Sequence, residues 1–364
     1  MKVPFLDLES AYFELKAEID AAVFSVLRSA CYILGPEVDT FEQAFSSYTG
    51  ASYSIGVGSG LDALFLGLKA LDIGPGDEVI VPTNTFIATW LAVSHCGATP
   101  IPVEPLISTA NIDVSRIESV VTARTRAIIA VHLYGQPADL DPILEIAERY
   151  GLKVIEDAAQ AHGSYYKGKR IGAHGDLVCW SFYPGKNLGA MGDGGAITTN
   201  NFSICVKLRE LRNYGSISKY IHERKGYNSR LDPLQAAILN VKLKYLDIWN
   251  LRRKAIANYY LTHIDNPYVR LPDVPTWAES SWHLFVIRHP NRQLLQKALF
   301  ENDIQTLVHY PTPPYRQSAY NNAFINVRYP IAEHLSNTIL SLPIGPHLSL
   351  AQAQKIAEVV NVTK

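Results

Sequence analysis

Apolar positions recur at helical spacing over residues 10–28, SAYFELKAEIDAAVFSVLR, and polar residues fill the gaps. This predicts an amphipathic helix that stops before the turn at Gly35-Pro36. The segment EVDTFEQAFSSYTG repeats the pattern and closes at Gly50. The pattern then changes to short apolar runs: YSIGVG (53–58), EVIVP (78–82), ATPIPVE (98–104), RAIIAVHL (126–133), LKVIED (152–157) and DLVCWSF (176–182). Helical stretches fall between several of them: LDALFLGLKAL (61–71), IATWLAVSHC (87–96) and DPILEIAERYG (141–151). Strands that alternate with helices imply βαβ units and a mostly parallel sheet. The near-continuous Val/Ile content of RAIIAVHL and LKVIED suits strands covered on both faces.

The alternation ends near residue 200. A helix-rich region follows, including 232–260, and the remainder mixes strand-like SWHLFVIR with helical NRQLLQKALFEND. The expected organisation is an α/β large domain over 1–250, with an N-terminal helical segment, and a smaller α+β domain over 251–364. No internal repeat or low-complexity segment interrupts it.

Composition narrows the class. Of 364 residues, 48% are hydrophobic and 18% charged, enough apolar material for a large core. A net charge of −1 without a long basic block argues against a dedicated nucleic-acid binder but leaves room for a local anion pocket. The opening MKVPFLDLES does not read as a signal peptide, and no apolar run approaches the ~18 residues of a membrane span. Cys31, Cys96, Cys179 and Cys205 are far apart and form no CxxC pair, which suits buried thiols in a reducing, cytoplasmic compartment.

In an open α/β sheet, ligands bind outside the carboxyl ends of the strands, so the residues after each strand carry the chemistry. After YSIGVG come Ser59, Gly60, Leu61 and Asp62. These read equally as a helix capping box and as an anion site, in which glycine admits a phosphate to free helix N–H groups. After EVIVP, Phe86 is either a core residue or a platform for a planar ring. After LKVIE, Asp157 needs a cationic partner because a buried lone carboxylate is costly, and Gln160 follows three residues on. A structural ion pair or a protonated ring nitrogen both answer that need. His162 reads as a core or supporting histidine. After DLVCW come Ser181 and, within SFYPGKNLG, Lys186. A lysine in an aromatic, proline- and glycine-punctuated turn beyond a buried strand must be desolvated, paired or chemically used. Together these residues meet the needs of pyridoxal phosphate: an amine of lowered pKa (Lys186), a carboxylate for the pyridine nitrogen (Asp157), a donor to the ring oxygen (Gln160), a stacking aromatic (Phe86), and amides and a hydroxyl for the phosphate (Gly60, Leu61, Ser181).

At these positions the chain resembles the DegT/StrS family of pyridoxal-phosphate sugar aminotransferases. The resemblance runs through VPFLDL, GVGSGLDAL, VHLYGQPADLDPI, IEDAAQAHG, SFYPGKNLGAMGDGGAI, GYNSRLDPLQAAIL and HYPTPP, nearly the whole chain. It implies the fold-type-I, aspartate-aminotransferase-like architecture. It also implies that Lys186 is the cofactor-binding lysine and proton shuttle, that Asp157 partners the ring nitrogen, and that Gln160, Phe86, Gly60, Leu61 and Ser181 hold the cofactor. Asn228 matches an asparagine that reaches the phosphate from the neighbouring subunit, implying a homodimer, and Arg230 beside it is a candidate for the amino donor's carboxylate. Members with histidine in place of the lysine are dehydratases, so Lys186 favours transamination from L-glutamate or a similar donor. The wording is most similar to enzymes that aminate C3 of dTDP-linked 3-keto-6-deoxyhexoses, with Tyr183, His309 and Tyr310 as candidate sugar or nucleotide contacts. Amination at C4 of a 4-keto sugar is the enzymatic alternative, and a non-catalytic regulator the remote one. Relatives often read HYPxPPH where this chain has Tyr315, so a substrate contact there would alter the sugar or nucleotide.

Overall fold

The computed structural model describes residues 2–320, 324 and 326–363. Helices α1 (Leu8–Glu14), α2 (Lys16–Ser29) and α3 (Pro36–Thr49) precede the sheet. The periodic stretch 10–28 is therefore two helices and not one. The chain breaks at Leu15 (φ −115°, ψ 15°), whose buried side chain packs with Ile19 and Trp249. Pro36 starts α3, where its missing N–H is harmless, and Gly50 closes it in the left-handed conformation (φ 76°).

The alternating region forms β1 (Tyr53–Val57), α4 (Gly60–Ala70), β2 (Glu78–Pro82), α5 (Ile87–His95), β3 (Thr99–Val103), β4 (Thr125–Val131), α6 (Leu140–Tyr150) and β5 (Lys153–Asp157). A small hairpin of β6 (Tyr165–Tyr166) and β7 (Lys169–Arg170) leads to β8 (Leu177–Ser181) and β9 (Gly195–Thr199). The seven-stranded sheet has the order β1-β9-β8-β5-β4-β2-β3. All neighbours from β8 to β3 are parallel, and β9 runs antiparallel to both β8 and β1. Strand alternation divides the core in two. Val79, Val81, Ala127 and Ile129 face the layer with α4, α5 and α7 (Phe202–Leu211), whereas Ile80, Ile128 and Ala130 face the layer with α3, α6 and α8 (Pro233–Leu243). Both faces are covered, as the continuous Val/Ile runs require.

β9 was not among the expected strands. Its sequence, GAITT, has no apolar alternation, and it is a strand because its neighbours pair with it on both sides. Gly195 at its start is required by crowding: a Cβ there would lie 2.3 Å from the Ser59 carbonyl oxygen.

Between α7 and α8 rises an exposed hairpin, β10 (Ser216–Ser218) and β11 (Ile221–His222). Helix α9 (Leu246–His263) spans residue 250 and carries Ile256 and Tyr260 into a further core. That core gathers β13 (Phe285–Arg288), α10 (Arg292–Glu301), β14 (Ile339–Leu342) and the last helix, α12 (Leu350–Val362), whereas α11 (Pro330–Thr338) buries Ala332 and Leu335 in the core that holds α4 and α5. The N-terminus joins it, since Val3 is buried there and pairs with Ile304. The short strand β12 (Ala278–Glu279) returns to pair with β6.

Candidate active site

The carboxyl ends of β1, β2, β5 and β8 open on one side of the sheet, and the turns after them carry the candidate residues. At β1–α4, Ser59 is extended and its Oγ accepts the Asp62 N–H (3.1 Å), so it caps α4. Gly60 lies against the end of β8: a Cβ on it would be 2.5 Å from Ser181 Cβ and 3.2 Å from Ser181 Cα. Glycine is what allows the first amides of α4, including that of Leu61, to sit beside the Ser181 hydroxyl. A helix N-terminus next to a hydroxyl is suited to a phosphate.

Asp157 ends β5 and is 7% exposed. Burial raises its pKa, and three influences oppose this. Thr89 Oγ donates to Asp157 Oδ2 (2.8 Å), the Ala159 N–H donates to Oδ1 (3.2 Å), and Lys186 lies close enough to favour the charge. His132 is fully buried, and both its ring nitrogens have hydrogen-bond partners. The Ala138 N–H donates to Nδ1 (3.0 Å), so Nε2 carries the hydrogen and donates to Glu156 (2.9 Å). The backbone N–H of His132 in turn donates to the Asp157 carbonyl (3.0 Å).

Lys186 lies in the turn beyond β8, with its backbone N–H bonded to the Tyr183 carbonyl (2.8 Å). Burial lowers the amine to about 8, and the charge of Asp157 pulls it part of the way back. Three imidazoles feel the same amine. His162 is depressed to about 3 and His309 to about 4, by burial first and then by Lys186, and His283 is held well below its usual value for the same two reasons. Near neutral pH all three are uncharged. The ring of His162 packs on Trp180 and Phe182 (centroids 5.2 and 5.8 Å), a core position.

Gln160 joins the two sides of the cleft. Its Oε1 accepts the Tyr134 N–H (2.6 Å), and its Nε2 donates to the Tyr310 hydroxyl (3.0 Å). The Tyr310 ring meets Phe86 at 5.2 Å between centroids. Phe86 is 52% exposed, so it is a wall of the cleft and not a core residue. His309 stacks on Phe5 (5.7 Å) and shares a hydrogen bond between Nδ1 and Ser341 Oγ (2.8 Å). Tyr134 fastens this segment by donating its hydroxyl to the His309 carbonyl.

One chain thus brings Lys186, Asp157, Gln160, Phe86, His309 and Tyr310 together, with Gly60, Leu61 and Ser181 at the adjacent helix start. Tyr183 is exposed on the lysine turn. Asn228 and Arg230 make their contacts with a different segment, Asn213–Tyr214. Asn228 is exposed and bridges to Asn213, while Arg230 donates to Asn213 Oδ1 (2.8 Å) and lies over the Tyr214 ring. The segment between them is tied to the helix start, because Ser229 Oγ accepts the Gly58 N–H (3.0 Å). Tyr315, where relatives often carry histidine, is fully buried. It packs edge-on to Tyr329 and donates to Glu333 (3.1 Å), so it faces the core.

Four participants were not foreseen from the sequence: Thr89, Tyr134, Asn187 and His283. Asn187 donates to the Ser281 carbonyl and to Asn250 (2.9 Å each), and its Oδ1 meets His283 Nδ1 (3.1 Å). Thr89 and Asn187 had a signal, a polar residue inside an apolar helix and the residue beside Lys186. His283 had none, being brought in from almost a hundred residues downstream.

An α/β sheet whose strand ends gather a buried amine lowered to about 8, a buried carboxylate and a helix start suited to an anion has the layout of an enzyme site. The chain belongs to the DegT/DnrJ/EryC1/StrS aminotransferase family, whose model matches residues 14–361. It is 55% identical over 359 residues to the dTDP-3-amino-3,6-dideoxy-alpha-D-galactopyranose transaminase of Aneurinibacillus thermoaerophilus, covering 99% of each chain. It is 52% identical over 358 residues to the erythromycin biosynthesis sensory transduction protein EryC1 of Saccharopolyspora erythraea, covering 98% of each. The crystal structure of S. venezuelae DesV in complex with a ketimine intermediate matches with a TM-score of 0.96 at 50% identity, covering 99% of this chain and 98% of that one.

Proposed function

We propose that this protein is a pyridoxal-phosphate aminotransferase that moves an amino group from L-glutamate to C3 of a dTDP-linked 3-keto-6-deoxyhexose. The observation that carries the reading is the burial of Lys186, in the turn beyond β8, within the field of the buried Asp157 at the end of the adjacent β5, its amine lowered to about 8. The name of the 55% identical relative supports C3 over C4. EryC1 bears a regulatory name, but a regulator has no need of the full set of Lys186, Asp157 and Gln160.

Pyridoxal phosphate, when bound, supplies an aldehyde for amines and a ring that spreads the charge left by a departing proton. The residues present fit it. The helix start at Gly60 and Leu61, with Ser181, takes the phosphate, and Phe86 covers the ring. Asp157 holds the proton of the ring nitrogen, and Gln160 offers its amide to the ring oxygen. With the cofactor bound, Lys186 Nζ would be the group that takes up and holds the proton leaving the donor's α-carbon. Tyr183, His309 and Tyr310 border the sugar. Asn228 reaches the phosphate of the neighbouring subunit in a homodimer, and Arg230 receives the carboxylate of the donor. The exposure of Asn228 supports that assignment. Cytoplasmic residence belongs to the same reading, supported by four free cysteines.

The test is the visible spectrum of the purified protein with pyridoxal phosphate, before and after L-glutamate. A cofactor band that glutamate bleaches is expected, followed by turnover of 3-keto but not 4-keto sugar nucleotides. No band after adding cofactor would overturn the reading. Two further expectations arise here. The amine must be neutral to capture the aldehyde, so the capture rate by cofactor-free protein should fall about tenfold per pH unit below about pH 8, measured by stopped-flow absorbance. Gly60→Ala places a methyl 2.5 Å from Ser181 Cβ and forces the turn outward. It should weaken cofactor affinity about tenfold or more, read by equilibrium titration.

A further inference from the structure

Asp157 can hold a ring-nitrogen proton only as a carboxylate, yet burial favours its protonated form. The answer lies in two hydroxyls on one turn. Thr85 (2% exposed) and Thr89 (0%) flank Phe86 at the start of α5, four residues apart. Their Oγ atoms are 2.9 Å apart, and Thr89 Oγ is 2.8 Å from Asp157 Oδ2. The hydrogens in this chain have two head-to-tail arrangements. If Asp157 is ionised, it accepts from Thr89, which accepts from Thr85. If Asp157 is protonated on Oδ2, the chain runs in reverse. The first arrangement is favoured by three donors or fields that do not reverse: the Ala159 N–H on Oδ1, the amine of Lys186, and the positive end of α5, on whose first turn Thr89 sits.

We infer that Thr89, backed by Thr85, is a positioning residue that keeps Asp157 ionised and fixes which way its carboxylate faces. The same turn that exposes Phe86 to the cleft aims Thr89 beneath it, so the ring's platform and the setting of its partner charge are built by one segment. Other groups near Asp157 are Cys179 from the neighbouring β8, the neutral His132 beyond β4, Tyr310, and Lys186 from its turn. Thr89 variants leave all of them in place.

The experiment follows the Asp157 carboxyl by carbon NMR against pH in the full chain labelled on aspartate, with the resonance assigned through Asp157→Asn. Thr89→Val keeps the shape and loses the hydroxyl, and the titration midpoint should rise by about one pH unit or more, the loss of one hydrogen bond to a charge. Thr89→Ser should restore the wild-type midpoint, and Thr85→Val should raise it less than Thr89→Val does. An unchanged midpoint in Thr89→Val and Thr85→Val overturns the inference. In cofactor-loaded protein, Thr89→Val should lower kcat with little change in KM for the amino donor. That consequence in rate rests on the function proposed above, whereas the midpoint is read without any ligand. A protein that shows the shift but binds no pyridoxal phosphate would sink the function and keep the inference.

Discussion

Lys186→Ala is expected to lower turnover by at least about 10³-fold while the chain stays folded. The amine is the basic group at the junction of β5 and β8 that can take a proton at neutral pH, because burial has brought it to about 8. The three imidazoles around it are depressed too far to replace it as proton carriers. Lys242 is also lowered to about 8, but its Nζ is fixed on the Gly189 carbonyl (2.7 Å) behind the turn. Folding should tolerate the change, since a desolvated amine contributes little and its loss leaves no buried charge unpaired apart from Asp157, which keeps two donors. Steady-state assays with glutamate and keto sugar, beside thermal melts, check both halves. The cofactor should become removable by dialysis. Turnover at the wild-type level would mean that Lys186 is not the proton carrier.

The strand-then-helix rhythm was legible because burial on both faces leaves a continuous apolar run that few other settings produce. The residues after those runs were legible for the same reason: a charge or glycine at a buried strand end needs an explanation. What was not legible arises from pairing across distance. GAITT is a strand through its neighbours β8 and β1, and its small residues are dictated by the Ser59 carbonyl lying against Gly195. Leu15 breaks a periodic run because Ile19 and Trp249 offer its side chain a buried place. The partnership of Thr89 with Asp157 and of His283 with Asn187 joins residues 68 and 96 positions apart, which no local pattern encodes. Tyr315 shows the converse: an unusual residue in a functional motif that points into the core.

Asp157→Asn is the second large effect, expected on the order of 10²-fold or more in rate with a small change in stability. The two oxygens of Asp157 each accept one hydrogen, from Thr89 and from the Ala159 N–H. Asparagine has one acceptor and one donor end. It fits if its oxygen stays on the Ala159 N–H and its amide nitrogen faces Thr89, because the threonine chain can reverse: Thr89 then accepts from the amide and donates to Thr85, 2.9 Å away. The scaffold therefore offers a neutral side chain one partner at each end. What is lost is the charge, and with it the means of keeping a proton on a ring nitrogen. A thermal midpoint within a few degrees of wild type, a retained cofactor and a collapsed kcat are the expected set. Equal activity would make Asp157 structural, and the two hydroxyls behind it would then serve the turn that carries Phe86 and not the charge.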